Sequence, residues 1–459
     1  MENKENIVII GCGASGGTAA QFARKTNRKS NIIILEKGKY PQYSKCGIPY
    51  VISGIIPEKN DLIEFSEEWF KKANIQLSLK TIVEKIDTKK QLIIAKKEEK
   101  RIEIKYDKLI FATGAKPFVP PIQNLKEDNK IIKGVYSLRT INDLEKILST
   151  IKKSKKAVVI GAGFIGLETA ENLYKKNIET VVIEALDHIM PNSFDIDMSK
   201  VLKEKIPKDL EILTNHLATR INKNHDKIKS IIAKNKKTNE ETEIHTDFIV
   251  LATGVKPDVK LAKEAGCEIG DAGGIKVNNK SETNIKNIYA AGDCTEYYDY
   301  ITAKPKTIGL GSTAVRQAIA AGINSSGGTY ILPKGFLSTY TSEFFNVEIA
   351  GVGPSQKDLN EFDIVNAKYN GLSHPHYFPG GKPITIKILV DKPTGMIAGA
   401  QAIGDKAAQR INTIACAILG EMDIETFRKL ETAYAPPVSP TLEAETIVCD
   451  IISKKLKKI

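Results

Sequence analysis

Cysteine is scarce in this chain. Six thiols are spread over 459 residues, at positions 12, 46, 267, 294, 416 and 449, and no two form a C-x-x-C pair. That spacing argues against a disulfide framework and against a zinc knuckle. No apolar run is long enough to cross a bilayer. Met1 is followed by five polar residues and then directly by an apolar run, without the pattern of a secretory or transit segment. A cytoplasmic protein without a membrane partner is therefore expected. Aromatic interleaving and recognition-module motifs are also missing. The net charge of +12 comes from scattered lysines, which read as solvated faces, so no nucleic-acid partner is expected. The length predicts about three domains.

What the chain does have is one glycine motif twice. Gly11-Cys12-Gly13-Ala14-Ser15-Gly16 follows the apolar run Ile7–Ile10, and Gly161-Ala162-Gly163-Phe164-Ile165-Gly166 follows Ala157–Ile160. A strand feeding such a turn into a helix points backbone N–H groups and a helix N-terminus at a pyrophosphate. Two turns imply two dinucleotides. The duplication extends further. Each copy is followed by a strand ending in an acid, Ile32–Glu36 (then Lys37) and Thr180–Glu184. Glu36 lies 20 residues past Gly16, and Glu184 lies 18 past Gly166, the spacing at which an acid reaches an adenosine ribose hydroxyl. Each copy closes on a matching strand and turn, Leu109 to Ala112-Thr113-Gly114 and Ile249 to Ala252-Thr253-Gly254. One G-x-G-x-x-G alone is a weak signal. Two, each with its acid and its closure in order, are a strong one.

A further apolar strand, Asn287 to Ala291, ends in Gly292-Asp293-Cys294, and a helix is predicted from about Ser312 to Gly322. A carboxylate after a glycine at a strand end can accept from a sugar-alcohol chain such as the ribityl of a flavin. This return after the second copy places the second domain as an insertion in the first. FAD is assigned to the first turn and NADH to the second. Glu184 should repel a 2′-phosphate, with NADPH still possible. The predicted architecture is α/β. An FAD-binding domain comprises 1–118 and 256–330, an NAD(P)H-binding domain comprises 119–255, and an α+β unit comprises 331–459. In the last, Ile384–Val390 and Met396–Ile403 form a hairpin, followed by an amphipathic helix from about Lys406 to Leu419. The helix beginning near Gly311-Ser312-Thr313-Ala314 is expected to aim its N-terminus at the flavin.

Cys46 sits in Tyr43-Ser44-Lys45-Cys46-Gly47-Ile48-Pro49-Tyr50. Lys45 adds a positive charge beside the sulfur, and a helix starting near Gly47 would add its N-terminal dipole. Both favour thiolate. Cys12 is expected to pack inside the glycine turn. The Cys294 side chain should point opposite to that of Asp293 if strand geometry persists. Cys267, Cys416 and Cys449 carry no such setting.

Together these residues resemble the FAD-dependent pyridine nucleotide-disulfide oxidoreductases, in their single-cysteine branch. That branch comprises coenzyme A disulfide reductases, NADH oxidases, NADH peroxidases and sulfur-reducing relatives. The most specific pieces are S-K-C-G-I-P-Y at 44–50, G-A-G-F-I-G-L-E at 161–168, A-A-G-D-C at 290–294 and Y-A-P-P-V-S at 434–439, with Tyr377-Phe378-Pro379-Gly380-Gly381 resembling a segment of the dimerisation domain. The resemblance implies that Cys46 is the redox thiol facing the flavin and that Glu168 sits at the nicotinamide end of the second turn. It also implies a homodimer in which Tyr434 and Tyr377 reach from the partner subunit toward Cys46. Electrons would pass from NADH through FAD to Cys46 and on to a disulfide or persulfide, such as coenzyme A disulfide or polysulfide.

Departures narrow the branch. No second cysteine lies between Cys46 and Cys267, unlike the two-cysteine reductases. Ala14 stands where the peroxidases carry a histidine, and Lys45 stands where the coenzyme A branch typically has Asn. The acceptor therefore stays open. The alternative is an NADH oxidase reducing dioxygen at the flavin, and a slow nucleotide-responsive binding module has no feature in its favour.

Overall fold

The computed structural model describes residues 4–225, 227–307 and 309–457. In chain order the main elements are β1 (Asn6–Ile10), α1 (Ala14–Thr26), β2 (Asn31–Leu35), β3 (Ile75–Ser78), β4 (Lys108–Phe111), β5 (Val135–Ser137), β6 (Lys156–Ile160), α2 (Phe164–Tyr174), β7 (Glu179–Ile183), β8 (Glu211–Leu213), β9 (Phe248–Leu251), β10 (Ile288–Ala290), α3 (Gly311–Ser325), β11 (Tyr340–Phe344), β12 (Val347–Val352), β13 (Ile364–Leu372), β14 (Pro383–Asp391), β15 (Ile397–Gly404), α4 (Ala407–Leu419) and α5 (Ala444–Lys457). They fall into two compact units. The first comprises 1–118, 139–141 and 254–336, and the second comprises 119–138, 142–253 and 337–459.

The first unit is built on a parallel sheet of order β10-β4-β1-β2-β3. Its central strands are buried on both faces, which is why β1 reads as an unbroken apolar run. Side chains alternate across it. Ile7 and Ile9 pack with Ala19, Ala20 and Ala23 of α1 and with Ala318 and Ala321 of α3. Val8 and Ile10 face the opposite layer, with Val83, Ile93 and Ala95, from an antiparallel sheet of strands 81–87, 92–97 and 100–105. The small residues of α1 and α3 allow a close approach, since a Cβ on Gly322 would stand 2.4 Å from the Ala19 carbonyl oxygen.

The second unit repeats the design. Its parallel sheet has the order β5-β9-β6-β7-β8, and strands 216–224, 227–235 and 241–245 form the accompanying antiparallel sheet. In both sheets the motif strand lies between the closure strand and the acid-bearing strand. Only the fifth strand differs in origin: β10 enters the first sheet from beyond the second copy, whereas β5 precedes its own copy. The insertion expected from the chain order is thus present in the pairing of β10 with β4. The same unit holds a third sheet, antiparallel, of order β11-β12-β15-β14-β13. The β14–β15 hairpin and α4 lie where the alternation predicted them. α4 packs on β12 and β15, and α5 packs on β13 and β14.

Two local expectations need correction. α3 runs on to Ser325, which is buried and donates to the Gly322 carbonyl, and the chain turns only at Gly327, with φ of +86°. The strand before Gly292 ends at Ala290, and Gly292 itself has φ of +85°, so alternation does not persist to Cys294. That thiol is instead fixed by packing, fully buried and donating to the Phe111 and Ala291 carbonyls. Among the described residues no helix is long and apolar enough to cross a membrane, and no cluster of three or more His, Cys, Asp or Glu could hold a metal ion.

Candidate active site

The two glycine turns have the same shape for the same steric reasons. Gly11 and Gly161 have φ of +104° and +106°, a region costly for residues with a Cβ. A Cβ on Gly11 would lie 2.3 Å from the Ala112 oxygen, and one on Gly161 would lie 2.4 Å from the Ala252 oxygen. A Cβ on Gly16 or Gly166 would lie 1.9 Å from the oxygen of the first glycine of its own turn. These positions need glycine for the fold. Gly13 and Gly163 are different. Nothing lies within 4 Å of a Cβ on Gly163, and only Lys45 Nζ, at 4.0 Å, approaches one on Gly13. Each caps its helix without a side-chain hydrogen bond and without an acid in the first turn. The middle glycines thus leave open a cradle with bare helix N-termini, which fits a pyrophosphate.

The acids close each cradle. Glu36 accepts from Cys12 N–H at 2.7 Å and from Gly38 N–H at 2.6 Å. Glu184, buried, accepts from Ala162 N–H at 2.7 Å and from Leu186 N–H at 2.8 Å. Each oxygen receives one backbone donor and keeps acceptor capacity for a ribose diol. Cys12, inside the first turn, is buried, and burial with the Glu36 charge pushes its thiol pKa upward. It packs as expected.

Around the first turn the structure gathers most of the assigned residues. Ser15 and Ala314 both stand against Gly292, where a Cβ would meet Ser15 Oγ at 2.0 Å and the Ala314 methyl at 3.6 Å. Thr313 is buried one residue earlier in α3. Ala14 is exposed at the first position of α1. Thr113 Oγ1 donates to the Asp258 carbonyl at 2.7 Å, and Gly114 O accepts from Asp258 N–H at 2.8 Å. Lys37 stands 3.8 Å from the Asp258 carboxylate.

Three residues that sequence reasoning missed complete this region. Arg139 donates to the Asp293 carboxylate at 2.5 Å. Gln317 Oε1 accepts from Gly292 N–H and from Thr295 Oγ1, both at 2.9 Å, and so fixes the Gly-Asp turn. Asp258 ties the first closure turn through its backbone. Arg139 sits in Leu138-Arg139-Thr140, which carries no glycine or periodic signal. An amphipathic reading of α3 would place Gln317 on its buried face, a polar exception that could have flagged it.

Cys46 is exposed. It directly precedes Gly47, which caps the short helix Ile48–Ser53, and Ser44 Oγ accepts from Gly47 N–H at 3.3 Å. Gly47 is confined by packing, since a Cβ there would lie 2.6 Å from a Leu62 methyl. In the second unit, Glu168 on α2 accepts from Ser342 of β11 at 2.7 Å. Phe164 meets the ring of the half-buried Tyr340 edge-on at 5.4 Å, and the Tyr340 hydroxyl donates to the Ser193 carbonyl at 2.5 Å. Tyr377 and Tyr434, both largely exposed, share a hydroxyl–hydroxyl hydrogen bond of 2.6 Å. That bond raises the Tyr377 pKa. Ile165 is half-buried on the first turn of α2. Thr253 and Gly254 straddle the boundary between the units, and Gly254 has φ of +90°.

Comparison with known proteins decides the family. Residues 5–318 match the pyridine nucleotide-disulphide oxidoreductase model, and residues 340–445 match the dimerisation domain of the same family. The chain belongs to the pyridine nucleotide-disulphide oxidoreductases. It is 35% identical over 460 residues to an NADH oxidase of Methanocaldococcus jannaschii, covering 98% of this chain and 99% of that one. It is 31% identical to the CoA-dependent NAD(P)H sulfur oxidoreductase of Pyrococcus abyssi, with 98% of each chain covered. Among solved structures, the NAD-dependent persulfide reductase of A. fulgidus superposes with a TM-score of 0.93 at 32% identity, over 99% of this chain and 84% of that one. The protein is an FAD-dependent NAD(P)H oxidoreductase, and its two cradles fit those two dinucleotides.

Proposed function

We propose that the protein reduces a small disulfide or persulfide, such as coenzyme A disulfide or polysulfide, with NADH as donor and Cys46 as the reacting sulfur. One observation carries the reading. Of the four cysteines in the first unit, Cys12, Cys267 and Cys294 are buried and Cys46 alone is exposed. The relatives named for CoA-dependent sulfur and persulfide reduction support the acceptor class.

In this reading residues 1–118 and 256–330 hold FAD, 119–255 hold the nicotinamide dinucleotide, and 331–459 pair two copies of the chain. FAD is held by Gly11 to Gly16, Glu36, the Ala112–Gly114 closure and Gly292-Asp293, with Thr313 and Ala314 at the start of α3. When bound, it relays two electrons from NADH to sulfur. The second turn and Glu184 hold NADH, and the Glu184 charge disfavours a 2′-phosphate. Glu168, fixed by Ser342, orients the nicotinamide end. The Cys46 thiolate attacks one sulfur of the acceptor, forming a mixed disulfide and expelling the other half as a thiolate. Two electrons and a proton then release the second thiol and restore Cys46. The net reaction is NADH, a disulfide and a proton giving NAD⁺ and two thiols. In the expected homodimer, the partner's Tyr377 and Tyr434 serve Cys46. A phenol is protonated at neutral pH, so the Tyr377–Tyr434 pair can donate to the departing thiolate. A cytoplasmic location suits this chemistry, because reducing compartments keep exposed thiols such as Cys46 and Cys416 reduced.

The test is an anaerobic acceptor panel with mass spectrometry of Cys46. Cys46→Ser should lose disulfide reduction while NADH still bleaches the bound flavin. Disulfide turnover by the Ser variant at the parent rate would refute the assignment. Dioxygen is the second reading, favoured by the relative named NADH oxidase. NADH consumption in air that matches the best anaerobic rate and survives Cys46→Ser would establish it.

A further inference from the structure

Lys45 adjoins Cys46 in sequence, and its charge would serve that sulfur if it stayed beside it. Its ammonium also reaches the first glycine turn. Nζ lies 4.0 Å from the point where a Cβ on Gly13 would stand, and no other described group outside the turn comes within 4 Å of that point. Gly13 is the cap of the 13-residue α1, makes no side-chain capping bond, and is followed by a first turn without an acid. A helix N-terminus and a lysine therefore converge on one open spot at the middle glycine of the first turn.

The charges around this spot leave it short of anions. Arg139 is also near, with its guanidinium committed to Asp293 at 2.5 Å. Glu36, bonded to the Cys12 and Gly38 N–H groups, keeps its charge, so two carboxylates, Glu36 and Asp293, face three cations, Lys45, Arg139 and Lys37. Lys37 stands 3.8 Å from Asp258. Burial is the largest influence on Lys45, and the Arg139 charge follows. Both lower its pKa, outweighing the opposing pull of Asp293 and Glu36. A half-buried cation beside a second cation and a helix N-terminus is a costly arrangement until an anion enters.

We propose that Lys45 is a ligand of the dinucleotide pyrophosphate at the first glycine turn, rather than the activator of the adjacent sulfur. Its side chain spans from the Cys46 loop to the cradle, so cofactor phosphate and the reacting loop are tied by one residue. The inference rests on the reading that the first turn holds FAD. Coenzyme A disulfide carries pyrophosphate too, and the test separates the two sources.

The experiment strips FAD from the purified protein and titrates it back, reading the quenching of flavin fluorescence. Lys45→Met, Lys45→Arg and Gly13→Ala are compared with the parent. The rate of Cys46 alkylation by iodoacetamide is followed against pH in the same samples. Lys45→Met should raise the FAD dissociation constant at least tenfold and flatten its salt dependence. Lys45→Arg should restore both to within about threefold of the parent, and the pH midpoint of alkylation should stay put. Parent-like FAD affinity in Lys45→Met with weakened Gly13→Ala overturns the inference. So does an upward shift of one unit or more in the alkylation midpoint, which would return Lys45 to the sulfur. So does a rise in KM for coenzyme A disulfide alone, which would assign Lys45 to the substrate. Parent-like affinity in Gly13→Ala as well would remove the underlying FAD assignment. If Lys45→Met does not fold, Lys45→Arg carries the test, and a tenfold loss of FAD affinity there overturns the inference.

Discussion

The two acids occupy equivalent places in the two sheets, so exchanging each for its amide should damage one dinucleotide and spare the other. Glu184 holds Ala162 N–H at 2.7 Å and Leu186 N–H at 2.8 Å. In Glu184→Gln the amide keeps one acceptor oxygen and turns an NH₂ toward a donor. One charge-assisted bond is lost within the turn, and ribose hydroxyls meet a neutral partner. A hydrogen bond to a charged group contributes about 1.5–3 kcal/mol net. At about 1.4 kcal/mol per factor of ten, NADH binding should weaken about 10- to 150-fold. Discrimination against NADPH should fall too, because the charge proposed to repel a 2′-phosphate is gone. The FAD site should not notice, since the acid proposed for it is Glu36. Glu36→Gln should show the mirror result, with weak FAD retention and little change in NADH dependence once FAD is saturating. The assay is stopped-flow bleaching of flavin against NADH and NADPH concentration, with FAD content measured separately. The reasoning is refuted if Glu184→Gln keeps the parent's NADH dependence and NADH-to-NADPH ratio, or if each variant damages both dinucleotides equally.

Other outcomes follow from the same geometry. Gly163→Ala meets no atom within 4 Å, whereas Gly166→Ala meets the Gly161 oxygen at 1.9 Å. The first should melt within a few degrees of the parent and lose NADH affinity at least tenfold, and the second should fail to fold its NADH unit by near-UV circular dichroism. Ser342→Ala removes a bond to the Glu168 carboxylate, about 1.5–3 kcal/mol, and should slow flavin reduction by NADH about tenfold or more while FAD retention holds. Tyr377→Phe breaks the phenol pair with Tyr434 and should lower disulfide turnover without changing flavin bleaching; equal loss in both would deny these residues a place in the sulfur step. Glu445 is buried, and burial lifts its carboxyl to about 7 despite Arg410, whose nearer partner is Glu443 at 2.7 Å. The folded state then holds a proton the unfolded state releases, so stability falls as pH rises from about 4.5 to about 7. Glu445→Gln should raise the melting temperature at pH 8 relative to the parent and match it near pH 4.5.

The sequence by itself determined the duplication. Gly11, Gly16, Gly161 and Gly166 could be read because no side chain fits where backbone oxygens stand about 2 Å from a would-be Cβ. The acids at positions 36 and 184 followed from a fixed strand-and-helix length, and the buried parallel strands from their unbroken apolar runs. Cys46 stood out by local context. What only the tertiary structure decided was which distant groups meet. Arg139 on Asp293, Gln317 under Gly292 and Ser342 on Glu168 are separated in sequence by 154, 25 and 174 residues. A hydrogen bond between such groups leaves no periodicity in either segment. The direction of Lys45 was hidden for the same reason. Adjacency along a chain fixes where a backbone goes, while the reach of a long side chain depends on what the fold places around it.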